Sequence, residues 1–198
     1  TGEGGSTFLP CAGGLVQLCR THLHGSYGER NGTTEGDGIV HFIDVSPGQM
    51  ELRISTWDQR YVEVRDATGI PIDTDDWSTG VFWANTTSTI NNRITGADRG
   101  AWSAFEAARM GAIWLKDRTG YEMSKVTINW PSGTWPSSSG SIIEVPADGG
   151  HIWNQGTILH EYGHCVHFAV RGGSFPYSDG LDPHYIDSVS NGPFALTE

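Results

Sequence analysis

Asn154-Gln155-Gly156-Thr157-Ile158-Leu159-His160-Glu161-Tyr162-Gly163-His164-Cys165-Val166-His167-Phe168-Ala169-Val170 is an apolar stretch too long for a strand, and Arg171-Gly172-Gly173 supplies a stop after it. The pattern predicts a buried helix over about 154–170. Within it, His160 and His164 are four residues apart, so both imidazoles project from one face about 6 Å apart along the axis. Two rings so placed can close on one ion. Zn2+ takes nitrogen ligands at about 2.0–2.1 Å, and a catalytic site has three protein ligands and one open position. Glu161 adjoins that face without being forced onto the metal, where it can accept the proton of an attacking water and return it to a leaving amine. With eight histidines in 198 residues, chance supplies such a pattern in on the order of one or two chains per hundred. The competing structural reading is a helix whose histidines are satisfied by hydrogen bonds alone.

Upstream, residues 98–119 predict a second helix, because Ala101, Trp102, Phe105, Ala108, Ala112 and Ile113 recur at spacings of three and four. Asp98 fits its N-cap and Thr119-Gly120 its stop. Residues 125–130 read as a strand ended by Pro131, 132–140 as a loop rich in Ser, Gly and Pro, 141–145 as a second strand and 146–150 as a turn. After the motif helix, 174–191 reads as a loop, and a short helix is expected from about Asn191, with Pro193 in its first turn. Before residue 95 the chain is of another kind. There 15–24, 39–45, 50–56 and 60–64 read as short strands, and Gly25, Gly28, Gly32, Gly36, Gly38, Pro47-Gly48 and Thr68-Gly69 read as the turns between them. The expected class is α+β: a β-sandwich over 1–95, then a second domain over 96–198.

The order backing helix, strand, strand and motif-bearing helix resembles the zincin clan of metallopeptidases over about one hundred residues. The resemblance implies zinc-dependent hydrolysis of peptide bonds in peptide or protein substrates. It also implies that 141–145 is the sheet edge that binds an extended peptide by strand addition. The metzincin signature would need Gly at position 167 and His at 170, where this chain has His167 and Val170. His167 also lies about 10.5 Å along the axis from His160, too far for both to share one ion. The gluzincin pattern takes its third ligand from a glutamate on a later helix, which implies Glu198 in Phe194-Ala195-Leu196-Thr197-Glu198. On that pattern the domain is expected to continue past Glu198, so that the chain is truncated at its C-terminus. Asp182, His184 and Asp187 are the alternative ligands. In the first half, Thr34-Glu35-Gly36-Asp37-Gly38-Ile39-Val40-His41-Phe42 followed by Ser46-Pro47-Gly48-Gln49 resembles the acidic-glycine turn and strand of transthyretin-like or carboxypeptidase-regulatory-like modules.

Composition narrows the setting. A net charge of −11, with Lys116 and Lys125 the only lysines and no Lys/Arg run, argues against a nucleic-acid partner. No apolar run approaches the length of a membrane span. The 27 glycines, the abundant Ser, Thr and Asn, and a first residue Thr1 fit a secreted chain, as a mature form or a fragment. Cys11 and Cys19 could form a disulfide in that compartment, whereas Cys165, about 100° around the helix from His164, is expected to pack. Asn31-Gly32-Thr33 and Asn85-Thr86-Thr87 fit the glycan-acceptor pattern. His22 and His24 share a strand face, and surface decoration is their commoner role. Asp73, Asp75 and Asp76, like Asp179 and Asp182, lack the spacing of a Ca2+ loop. Trp130, Trp135 and Trp153 are expected in core and cleft wall, with a sugar platform as the alternative, and Tyr177 or Tyr185 is a candidate oxyanion donor. The expected function is a secreted zinc metallopeptidase of unspecified oligomeric state. The alternative is a non-catalytic extracellular structural or adhesive module with a degenerate or truncated peptidase domain.

Overall fold

The computed structural model describes residues 15–22, 25–35, 39–70, 72, 82–84, 99–147 and 150–173. They form a mixed α+β structure with two sheets and two helices. In chain order the strands are β1 (Leu15–His22), β2 (Gly25–Thr33), β3 (Gly48–Ser55), β4 (Val62–Arg65), β5 (Phe82–Ala84), β6 (Val126–Asn129), β7 (Ser137–Ser139) and β8 (Ile142–Glu144). The helices are α1 (Arg99–Thr119) and α2 (Gln155–Val170), the latter preceded by one 3-10 turn, His151–Trp153. Neither helix is long and apolar enough to cross a membrane.

The chain divides into two compact units, Thr1–Ser55 with Asp73–Arg93, and Thr56–Ile72 with Ile94–Glu198. The first holds an antiparallel sheet in the order β2-β1-β3-β5, with Val16 and Met50 buried. Two expectations fail here. Gly25, Gly28 and Gly32 are not turns but lie inside β2, and 39–45 is not a strand. One close approach accounts for part of both: a Cβ on Gly32 would come within 2.6 Å of Val40 Cγ2 and 3.3 Å of Phe42 Cε1. A strand bare at that point lets the following segment lie across it, and this segment leaves the extended region at Asp44, whose φ is 55°. Among the described residues this unit has one sheet.

The second unit is built on a sheet in the order β4-β6-β8-β7, in which β4, β6 and β8 are parallel and β7 runs antiparallel to β8. β4 lies in the segment 56–72, which the sequence reading grouped with the first half. Its pairing explains the difference: Val62↔Val126 and Val64↔Ile128 are neighbours in register, and Val62, Val64, Val126, Ile128 and Ile143 are all fully buried. That single apolar face needs all three strands in one sheet. Asp58 reinforces the join, with Oδ2 accepting from Arg109 Nε of α1 at 3.1 Å and Oδ1 accepting from the backbone N–H groups of Arg60 and Tyr61.

α1 packs its small-residue flank, Ala101, Ala104, Ala108 and Ala112 with Phe105, into this core. Gly111 brings α2 close, since a Cβ there would stand 3.0 Å from Leu159 Cδ2 and 3.3 Å from Tyr162 Cδ1. Gly100 meets Ile152 and Trp153, and Gly111 meets Leu159 and Tyr162, so the two helices run side by side in the same direction. α2 starts where expected, with Asn154 Oδ1 accepting from the Thr157 N–H at 3.3 Å. It stops where expected too: Gly172 and Gly173 take φ of 71° and 87°, and their N–H groups bond back to Ala169 O and Phe168 O. The proposed N-cap of α1, Asp98, lies outside the described residues.

Two glycine substitutions test this packing in opposite directions. A Cβ on Gly100 would sit 2.8 Å from Cγ2 of the buried, β-branched Ile152, so Gly100→Ala should destabilise by about 1–3 kcal/mol. Gly163 has open space around it, and Gly163→Ala should stabilise by about 0.5–1 kcal/mol through helix propensity. Thermal or urea melts read both, and a stabilising Gly100→Ala would refute the close seat of α1 on the 3-10 turn.

Candidate metal centre

α2 is sided. Thr157, Ile158, Glu161, Tyr162, His164 and Cys165 are buried, Gly163 and Val170 face outward, and Leu159, though 40% exposed, borders α1. Leu159 and Tyr162 mark the flank against α1, and at about 100° per residue His160 and His164 lie about 150° around from them. The histidines therefore occupy the border of the buried face, on the flank away from α1. His164 is 8% exposed, and His160 is half-buried.

Their rings converge. Nε2 of His160 and Nε2 of His164 are 3.1 Å apart, with ring centroids at 4.6 Å and planes at 86°. This can be tested against a metal: two nitrogens at 2.0–2.1 Å from a tetrahedral zinc stand about 3.3 Å apart. The observed separation fits that value to within about 0.2 Å, and both nitrogens offered are Nε2, which leaves Nδ1 of each ring to orient it. A shared proton between the rings would also bring the nitrogens to this distance, with one donating and the other accepting.

Glu161 is 7% exposed and follows His160 on the buried side. It belongs to the buried set of α2 together with Thr157, Ile158 and Cys165. Its neighbours feel it. Burial first, and the Glu161 charge second, push the Cys165 thiol up to about 12, and burial pushes the Tyr162 phenol up to about 12 as well. Cys165 is a free, buried thiol with 1% exposure, consistent with the expected packing role.

Of the residues singled out in the sequence, the structure brings the rings of His160 and His164 together, with buried Glu161 next to His160 in the chain. Among the described residues no third His, Cys, Asp or Glu completes a metal-binding group with the pair. Glu198 and the alternatives Asp182, His184 and Asp187 lie outside the described residues, as do Tyr177, Tyr185, His24, Cys11, Asp73, Asp75, Asp76 and Asp179. The side chains of His22 and Cys19 lie outside them too, so the Cys11–Cys19 bridge does. Trp130 is half-buried, whereas Trp135 and Trp153 are exposed.

One expected feature is corrected. The strand read at 141–145 is not the sheet edge, because β8 has β6 on one side and β7 on the other. Among the described residues the outer strand on that side is β7, Ser137–Ser139, inside a segment read as a loop. Three consecutive serines carry no period-2 contrast between apolar and polar positions, so the usual strand signal was missing.

No family model, no curated protein and no solved structure matches this chain.

The environment of Cys165 makes a direct prediction. At pH 8 its thiol is protonated and enclosed, so a disulfide reagent should leave it unmodified in the folded chain and label it fully in denaturant. Peptide mass mapping separates Cys165 from Cys11 and Cys19, and rapid native labelling at Cys165 would contradict the buried face of α2.

Proposed function

We propose that this chain is part of a secreted zinc-dependent peptidase, with a gluzincin-like catalytic region following an N-terminal β-sandwich module. The catalytic region corresponds to residues 96–198, with β4 added from the preceding segment. The observation that carries the reading is the 3.1 Å approach of the His160 and His164 Nε2 atoms with the buried Glu161 beside them. The antiparallel outer strand, the parallel sheet behind it and the two helices on one face support the same reading.

In this reading His160 and His164 hold the metal, and Glu198 is the third ligand. A zinc ion bound there supplies Lewis acidity toward a peptide carbonyl and makes water acidic enough to ionise near neutral pH. Glu161 takes the proton of the attacking water on its carboxylate and delivers it to the amine that leaves. The half-buried His160 keeps one side of the pair open to water and substrate, while His164 is anchored within the packed flank.

The test combines metal analysis with two variants. The chain should bind about one zinc and cleave a generic protein substrate, with both properties lost to a chelator. Glu161→Gln should keep the zinc and lose about 10²- to 10⁴-fold in kcat, whereas His164→Ala should lose the zinc itself. Full activity in Glu161→Gln would overturn the mechanism. A stable, zinc-free and inactive chain would instead favour the structural or adhesive module.

A further inference from the structure

β7 lies against α2, and two contacts fix how. At one end Trp135, just ahead of β7, meets His151 with ring centroids 6.4 Å apart and planes at 60°. At the other, Gly140, just past β7, faces Phe168, whose Cε1 would be 3.6 Å from a Cβ built there. His160 and His164 fall between His151 and Phe168 in the chain, and Phe168 projects about 40° around the helix from His164. The imidazole pair therefore opens on the flank that β7 borders. β7 is an outer strand, and among the described residues it is paired on one side only. A peptide adding to it in the stronger, antiparallel sense would pass the histidines with its C-terminal part directed toward Trp135.

Trp135 is 61% exposed, a large apolar surface left at the end of that track. Its contact with His151 limits how the indole can turn while most of it remains open. Aromatic rings favour offset or edge-to-face partners and gain more from them than from burial alone. We propose that Trp135, seated on His151, is a specificity-determining residue that selects peptides bearing an aromatic side chain on the C-terminal side of the scissile bond. The proposal rests on the peptidase reading above. Measured along the 3-10 turn and helix, the distance from His151 to the histidine pair places that side chain roughly four to six residues beyond the bond.

The experiment uses the full zinc-loaded chain and fluorogenic decapeptides of Ala, Ser and Gly carrying one Phe, moved stepwise along the peptide, with the cleaved bond located by mass spectrometry. One C-terminal-side position should raise kcat/KM about three- to tenfold over the Phe-free peptide. Trp135→Ala should bring that ratio to about one, and Trp135→Phe should retain most of it. Fluorescence polarisation of the same labelled peptides on Glu161→Gln gives a ranking that needs no turnover. If no peptide is cleaved yet the Trp135-dependent ranking in binding persists, the peptidase reading fails and the aromatic subsite stands. Equal binding of Phe and Phe-free peptides, a preference on the N-terminal side, or a preference that survives Trp135→Ala overturns the proposal.

Discussion

α2 can aim two imidazoles at one point only if the helix is kept from rolling about its own axis, and its apolar flank supplies that restraint. Ile158, Tyr162 and Cys165 are all buried, and withdrawing an aliphatic side chain such as Ile158 from water contributes about 1.5–3 kcal/mol. A roll of a few tens of degrees would expose some of that surface and carry His164 away from its place at the border of the core. Gly111 matters for the same reason: the absence of a side chain there lets α1 approach close enough for Leu159 and Tyr162 to lock against it. The 3.1 Å approach of the two rings is thus a consequence of packing on the other sides of the helix.

The sheet beneath has an unusual second face. Parallel strands are commonly apolar on both sides, yet Glu63, in the middle of β4, is 5% exposed. Its carboxylate is compensated from several directions. Thr127 Oγ1 of β6 donates to Oε1 at 2.9 Å, Arg65 forms an ion pair along the strand, and Lys125 Nζ approaches Oε2 at 3.8 Å while lying over the Trp57 ring. A buried charge is tolerated when its attraction and hydrogen bonds offset the loss of hydration. Because the partners come from β4 and from β6 and its approach, this cluster also favours the parallel pairing that brings the segment 56–72 into the second unit.

Several features escaped a reading of residues in order. β2 was obscured by Gly25, Gly28 and Gly32, which are ordinarily turn residues but here lie within a nine-residue strand. Pairing with β1 along its length, and the seat that Gly32 offers to Val40 and Phe42, outweigh the low intrinsic strand preference of glycine. Residues 39–45 were misread for the converse reason: their β-forming side chains gave a strand signal, but among the described residues the segment joins no sheet. β7 was missed because serines at three consecutive positions have no hydrophobic pattern, and its existence follows from pairing with β8.

The two helices, the glycine stop of α1, both ends of α2 and the spacing of His160, Glu161 and His164 were determined by the sequence alone. Helical hydrogen bonds and the 3.6-residue period connect neighbours in the chain, and so are written locally. Which strands share a sheet, which of them forms its edge, and where Trp135 comes to lie relative to the histidines were decided only by tertiary structure. Those relations join residues far apart in sequence, and they are settled by which pairing buries the most apolar surface while leaving no buried charge or backbone group without a partner.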